Sequence, residues 1–323
     1  MDISFRRNKI FPSISCFKEI ADVTLRRIHY FKFDMKIILS TDFSDENKML
    51  FPYAIDLLKV SGGEIVLFHA YMDQILMGDS SFPGGLDADT FFNRELLAEM
   101  EVQAGDFMKE KENLLKKEIE AHKTSGILIK TVLKGGDPEQ ELIQLTQQEQ
   151  PDLILMGTSG KGHKGFLEGS IAKSIMAKVG VPVLAIPVDY QWAASSQIMY
   201  ATNFSRFEVS VLNQLLELTK LYQPTIHIVH FVLDDNDAKA VVLMDELKQA
   251  FQEEESQGNL RFELIRTGSP GEAMKLFCEQ HQVSLAAFIA HKRSWLDYIF
   301  KDKIGKDDFF NLGVPMLTFR LPE

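Results

Sequence analysis

The stretch Lys36-Ile-Ile-Leu-Ser-Thr-Asp-Phe-Ser44 occurs a second time, in altered form, as Gln197-Ile-Met-Tyr-Ala-Thr-Asn-Phe-Ser205. Each copy is a short apolar run that leads into Thr, then Asp or Asn, then Phe-Ser. An apolar run of this length, bounded by polar turn residues, is typical of a buried strand. The chain therefore begins the same structural unit twice, about half its length apart.

Three further landmarks follow each copy in the same order. They are an apolar run that ends in His, a Gly-x-Pro tripeptide, and a Gly-Val-Pro that leads into an apolar run. The pairs are Glu64–His69 with Thr225–His230, Gly136-Asp137-Pro138 with Gly268-Ser269-Pro270, and Gly180-Val-Pro-Val-Leu184 with Gly313-Val-Pro-Met-Leu317. Four landmarks in one order predict two tandem copies of one domain.

We place the first domain at residues 35–190 and the second at 197–323, with a linker near 189–196. The first copy is longer mainly because of an insert at about 73–90, which is rich in Gly, Ser and Asp and is predicted to be a surface loop. Residues 1–34 are net basic. They are an N-terminal extension or a mispredicted start, or else a short amphipathic helix or basic tail that docks elsewhere.

Strand and helix patterns alternate within each copy, which predicts an α/β fold with doubly wound parallel sheets. Ligands on such sheets bind at the carboxyl ends of the strands, where the strand order reverses. In the first copy the predicted strands are 36–40, 65–71, 127–133, 153–156 and 181–186. The predicted helices are 44–59, 91–123, one that begins after Asp137, and 170–179.

Composition excludes several classes of function. The net charge is −11 and the sequence pI about 5.3, so the surface repels a phosphate backbone and no nucleic-acid partner is expected. No apolar stretch approaches the roughly 18 residues that span a bilayer, so no membrane association is expected. Cys16 and Cys278 are far apart, which indicates neither a disulfide framework nor a zinc cluster and fits a reducing, cytoplasmic location.

The segment richest in chemistry runs from Gly157 to Ser170 and reads Gly-Thr-Ser-Gly-Lys-Gly-His-Lys-Gly-Phe-Leu-Glu-Gly-Ser. It follows a predicted strand and precedes a predicted helix, whose first backbone N–H groups are unpaired and attract anions. Glycines let the backbone approach phosphate oxygens, and Lys161, Lys164 or Lys173 would add charge. It is not a Walker A loop. A flexible loop with Ser170 as helix cap explains the residues equally well.

Thr41 and Asp42 end the first strand and form the second element of the candidate site. A short carboxylate at this edge can accept hydrogen bonds from an adenine or a ribose group. The alternative is a turn and capping role before the helix at Ser44.

Together these residues resemble the universal stress protein family in a tandem two-domain form. The family's first strand typically ends in Pro-Thr-Asp-Phe-Ser, which matches Ser40–Ser44, and its second in His and a small residue, as in His69-Ala70. Its signature G-x2-G-x9-G-[ST] follows a Met. The sequence here is Met156-Gly157-x2-Gly160-x8-Gly169-Ser170, one residue short between the last two glycines.

The resemblance implies Rossmann-like domains of the adenine nucleotide alpha hydrolase type, and a stress-response regulator or scaffold with ATP, and Mg²⁺ or Mn²⁺ with it, in the first domain only. It implies no catalytic residue and no metal held by the protein alone, so hydrolysis would be slow at most. The nucleotide-binding residues it implies are Ser40, Thr41, Asp42, Ala70, Met156, Gly157, Ser159, Gly160, Gly169, Ser170, Ile171 and Ala172.

The second copy departs from this pattern. Ala290–Arg293 stands where Gly157–Gly160 does, Asp302-Lys303 replaces Gly169-Ser170, and Asn203 replaces Asp42. A carboxylate at a helix start repels phosphate, so no nucleotide is expected there. In the family, paired domains associate through their last strands. The resemblance thus predicts an internal pseudo-dimer through 181–186 and 314–319, and leaves a further homodimer and a protein partner open.

Two alternatives remain. The shortened glycine spacing favours an interaction module of the same fold without nucleotide. An adenylate-forming or ATP-pyrophosphatase enzyme ranks last, because the Ser-Gly-Gly-x-Asp-Ser and His-x-Gly-His loops of those enzymes are missing. His69 is expected to bond the backbone, and His227 and His230 point to opposite strand faces, so a packing role is expected for both.

Overall fold

The computed structural model describes residues 35–42, 49–71, 86–158, 170–187, 190–191, 196–232, 238–290 and 312–320, but not the side chains of 86–97 and 170. Several predictions lie outside these ranges. They concern residues 1–34, Ser44 as a helix cap, most of the linker, and residues 291–311 of the second copy.

The first copy alternates strands and helices as predicted. Its elements are β1 Met35–Ser40, α1 Leu50–Leu58, β2 Gly63–Tyr71, α2 Leu86–Ala121, β3 Ile127–Gly135, α3 Pro138–Glu149, β4 Leu153–Gly157, α4 Ser170–Lys178 and β5 Val183–Ile186.

The described part of the second copy repeats the pattern, with two helices between its second and third strands where the first copy has one, and with a 3₁₀ turn after its first helix. Its elements are β6 Gln197–Ala201, α5 Glu208–Thr219, a 3₁₀ turn Lys220–Tyr222, β7 Thr225–Val232, α6 Ala238–Ala250, α7 Gln252–Ser256, β8 Leu260–Arg266, α8 Pro270–Gln280, β9 Leu285–Ile289 and β10 Met316–Phe319.

These strands form one sheet in the order β3-β2-β1-β4-β5-β10-β9-β6-β7-β8. All neighbours are parallel except β5 and β10, which are antiparallel. The sheet therefore consists of two five-stranded halves with the same internal order, joined at their last strands. This confirms the predicted α/β fold and the internal pseudo-dimer. In each half the order reverses between the first and fourth strands, β1 with β4 and β6 with β9.

Apolar side chains fill both faces of the sheet, as parallel strands require. In β1, Ile37 and Leu39 enter the core layer on one face and Ile38 the layer on the other, and all three are fully buried. Both layers contain residues of both halves, so the core is continuous across the molecule. Among the described residues, no helix combines the length and apolar character needed to cross a membrane.

The seam between the halves combines strand pairing with side-chain contacts. Leu317 of β10 lies opposite Leu184 of β5 and is fully buried. Tyr222 donates a 2.9 Å hydrogen bond from its hydroxyl to Oδ2 of Asp56 in α1. Mutual pairing of β5 and β10 covers two edges that would otherwise present unpaired backbone groups.

Both seam strands begin two residues later than predicted, directly after Pro182 and Pro315. A proline has no N–H to donate to a strand ladder, so it suits the position just before a strand. Its carbonyl still accepts: Pro182 takes the N–H of Ile154 at 3.0 Å, and Pro315 takes that of Ala286 at 2.9 Å. The prolines thus mark where each seam strand starts.

The starts of α3 and α2 compare differently with the sequence prediction. The Asp137 cap is confirmed, since its Oδ1 accepts the backbone N–H of Gln140 at 2.9 Å. The prediction of a loop up to residue 90 is wrong for residues 86–90, because α2 begins at Leu86, directly after Gly84-Gly85 in the sequence.

We expect Leu317→Ala to lower the free energy of unfolding by about 2–5 kcal/mol, because it leaves a cavity in the closed seam. Chemical denaturation measures this loss. The matched control is Leu276→Ala in α8, whose side chain is 52% exposed and should cost much less. Equal losses in the two variants would show that the seam is not tightly packed.

Candidate functional site

The candidate site lies where β1 and β4 separate at the carboxyl edge of the first half. Ser40, the last residue of β1, lies opposite Met156 of β4 and Phe68 of β2. Thr41 and Asp42 therefore leave the sheet beside Gly157. This reversal of strand order is where ligands bind on doubly wound sheets, and five of the predicted site residues meet there.

Backbone hydrogen bonds hold both sides of this crevice. Thr41 is 6% exposed, and its N–H donates to the carbonyl of Phe68 at 2.9 Å. On the other side, the N–H of Thr158 donates to the carbonyl of Ile186 at 2.9 Å. The two chain segments that leave β1 and β4 are thus each tied to the outer neighbouring strand, which keeps them apart.

His69 forms a second hydrogen bond to the backbone of Thr41. Its Nδ1 lies 2.7 Å from the carbonyl oxygen of Thr41. Because a carbonyl only accepts, Nδ1 carries the proton in this bond. The expectation that His69 bonds the backbone is confirmed. Asp42, which is half-buried, follows immediately.

Of the predicted site residues on β2, β4 and α4, three have buried side chains and Ile171 is exposed. Ala70 is 8% exposed in β2, Met156 is 5% exposed in β4, and Ala172 is 2% exposed in α4. Ile171 in the first turn of α4 is 39% exposed. Because α4 connects parallel neighbours β4 and β5, its amino end lies at the same carboxyl edge as the crevice.

Part of the predicted site lies outside the described residues. Ser159, Gly160 and Gly169 belong to this part, as does the side chain of Ser170, although Ser170 begins α4. The shortened glycine spacing therefore remains a feature of the sequence alone.

The second half repeats the framework of the crevice. The N–H of Thr202 donates to the carbonyl of Val229 at 2.9 Å, and Nδ1 of His230 donates to the carbonyl of Thr202 at 2.8 Å. The His230 ring also packs 4.4 Å from the ring of Phe204. Asn203 stands in the place of Asp42. The backbone framework is thus common to both halves, and the side chain that follows it differs.

Sequence reasoning missed a buried carboxylate in this second crevice. Glu208, the first residue of α5, is 3% exposed. Tyr200 in β6 donates its hydroxyl to Oε2, and the backbone N–H of Ser205 donates to Oε1 at 3.0 Å. The spacing Ser205-x-x-Glu208 is that of a capping box, the one signal that points to Glu208. In the first copy, the aligned positions hold Leu39 and Asn47.

Burial raises the pKa of the Glu208 carboxyl above its usual range, and hydrogen bonds from Tyr200, Ser205, Thr202 and Asn203 act in the opposite direction. Burial also raises the pKa of Tyr200 well above its usual value, so this hydroxyl remains a donor at neutral pH. The second crevice therefore already contains an acidic group of its own.

His227 packs in the core, as predicted. It is 1% exposed, with Nδ1 2.7 Å from Oε1 of Glu263 and Nε2 2.9 Å from Oε1 of Gln197. Its ring also meets the Phe277 ring edge-on at 5.5 Å. These partners lie away from the Thr202 carbonyl that holds His230, so the two histidines do face opposite ways.

A cavity of about 460 Å³ lies elsewhere, at the carboxyl ends of β7 and β8, lined by Val232, Val241, Leu264 and Arg266. It is not at a reversal of strand order. Within the ranges that the structure describes, no three His, Cys, Asp or Glu side chains are grouped to hold a metal ion.

Comparison with known proteins identifies the family. Residues 35–187 match the model of the Universal stress protein family. Universal stress protein MJ0531 of Methanocaldococcus jannaschii is 30% identical over 152 residues, which are 47% of this chain and 81% of that protein. The chain belongs to the universal stress protein family.

One further relative agrees with this assignment, and one solved structure shares the fold. Universal stress protein MJ0577 of the same organism is 26% identical over 161 residues, or 47% of this chain and 93% of that protein. The crystal structure of a universal stress protein from Archaeoglobus fulgidus matches with a TM-score of 0.61 and covers 91% of this chain and 98% of that one. At 16% identity this last likeness concerns the fold alone, and it extends through both halves.

The ordinary pKa of a Glu side chain is about 4.5. As the pH rises above this value, we expect the free energy of unfolding of Glu208→Gln to increase relative to that of the wild-type protein. A carboxyl whose pKa is higher in the folded state binds protons more tightly there, so folded wild-type protein loses stability between the unfolded and the raised pKa. Gln has no such titration.

Denaturation curves at several pH values test this expectation, with Glu217→Gln, an exposed carboxylate of the same helix, as the control for loss of one charge. A constant difference between Glu208→Gln and wild type from pH 4 to pH 8 would contradict it.

Proposed function

We propose that this universal stress protein binds ATP in its first half, in the crevice between β1 and β4, and acts as a cytoplasmic stress-response regulator or scaffold. The observation that carries the proposal is the register of β1 with β4, which brings Thr41 and Asp42 beside Gly157 at the point where strand order reverses. The first turn of α4 begins at the same edge.

The chemistry of these residues fits an adenine nucleotide. The Asp42 carboxylate can accept from an adenine amine or a ribose hydroxyl. Gly157 lets a ligand approach the backbone, and the first N–H groups of α4 favour phosphate. Mg²⁺ or Mn²⁺ would come with the nucleotide and be held mainly by its phosphates.

The second half would bind no nucleotide in this way. Asn203 replaces Asp42, and the buried Glu208 accepts the N–H of Ser205 in the loop that follows β6. A phosphate at this loop would lie near the Glu208 carboxylate, which already accepts the backbone N–H of Ser205. We propose that the second half serves to pair with the first through β5 and β10.

We further propose that the chain is not an enzyme in the ordinary sense. Efficient hydrolysis of ATP requires a group that orients water and one that stabilises charge on the transferred phosphoryl group. The residues that we can assign to the site supply neither role. Any hydrolysis would then be slow, and the output would pass to a protein partner that senses the nucleotide state.

The first test is the nucleotide content of the protein purified without added nucleotide. The protein is denatured, and the supernatant is analysed by anion-exchange chromatography for adenine nucleotide per chain. We expect a value near one. A value near two would contradict the assignment of the second half. No nucleotide, together with no thermal shift in millimolar Mg-ATP, would overturn ATP binding and leave an interaction module of this fold, which the short glycine spacing favours.

The second test exploits the repeat. We expect Asp42→Ala to weaken ATP binding by about tenfold or more, since it removes a charged acceptor from the crevice. Asn203→Ala changes the equivalent residue of the other half and should leave the affinity unchanged. Isothermal titration with Mg-ATP compares the two variants, and equal effects would place the nucleotide elsewhere.

A further inference from the structure

We propose that His69 is a positioning residue for the nucleotide, acting through Thr41 to fix the orientation of Asp42. The inference rests on the proposed ATP site in the first half. It assigns to this site a residue that points at the backbone rather than at a ligand.

The geometry makes Thr41 an anchor with two ties to one strand. Its N–H bonds the carbonyl of Phe68, and its carbonyl accepts Nδ1–H of His69, the next residue of β2. The carbonyl of Thr41 and the N–H of Asp42 belong to the same planar peptide unit. Holding that carbonyl therefore also sets the direction of the Asp42 N–H and limits where its side chain points.

Without the imidazole, the carbonyl of Thr41 would lose the 2.7 Å hydrogen bond that it accepts from Nδ1 of His69. Thr41 would keep its N–H bond to the sheet, so the strand would still pair. The peptide unit beyond it would gain freedom to rotate about ψ of Thr41. A ligand would then have to order this unit on binding, and its affinity would fall by that cost.

The protonation chemistry of this bond distinguishes it from a pH switch. The neutral imidazole already carries its proton at Nδ1, and a second proton would enter at Nε2. The bond to the Thr41 carbonyl persists in both forms.

The second half supplies the matched control. His230 makes the same bond to Thr202 at 2.8 Å, and the residue after it is Asn203. Loss of this bond should harm folding as much as loss of the His69 bond. Only the His69 bond stands beside the proposed nucleotide.

The experiment compares His69→Leu, His69→Asn and His230→Leu in the full chain, by titration with Mg-ATP and by thermal unfolding without nucleotide. Leu removes the donor, whereas the Asn amide places an N–H near the position of Nδ1. We expect His69→Leu to bind ATP about tenfold more weakly and His69→Asn to recover most of the affinity. His230→Leu should lower the melting temperature by a similar amount as His69→Leu and leave the ATP affinity at the wild-type value.

Each outcome decides one question. If wild type binds ATP and His69→Leu binds it equally well, or if His230→Leu weakens binding as much, the positioning role is wrong. If wild type binds no ATP, the proposed function itself fails. Should His69→Leu not fold, His69→Gln replaces it, because Gln carries the same amide but presents it near the position of Nε2. The inference then requires weaker binding by Gln than by Asn.

Discussion

The antiparallel pairing of β5 with β10 is the interaction on which the architecture depends. A five-stranded half ends in an edge strand whose backbone groups need partners. When the two last strands pair, their side chains alternate between the two core layers. Leu184 and Leu317 enter one layer, and Ala185 and Met316 enter the other. Both layers thus pass through the seam, and the two halves fold around one continuous sheet.

The two halves have the same backbone hydrogen bonds at the carboxyl edge of the sheet, but the polar side chains at this edge differ. In both, a threonine after the first strand is tied to the second strand through its N–H and through a histidine. The first half follows that threonine with Asp42. The second follows it with Asn203 and adds the buried carboxylate of Glu208. Because the backbone arrangement is the same in both halves and the polar side chains beside it differ, we assign the two halves different roles.

Local sequence patterns predicted many of the strands and helix starts. The apolar runs located the strands, and Asp137 identified its helix because its cap depends on residues three apart. The prolines before β5 and β10 are also local signals, because each strand begins directly after its proline. Glu208 was missed because a capping spacing alone does not reveal burial. Its environment forms only when α5 packs against β6 and brings Tyr200 over the carboxylate.

By itself, the sequence determined the repeat, the alternation of strand and helix, and the family, because each follows from short motifs and their order along the chain. The tertiary structure decided what depends on contacts between distant residues. It established the antiparallel register of the seam, the partner of His69, and the burial of Glu208. These features arise only when separate strands and helices come together, since hydrogen bonding and desolvation depend on neighbours that no local pattern encodes.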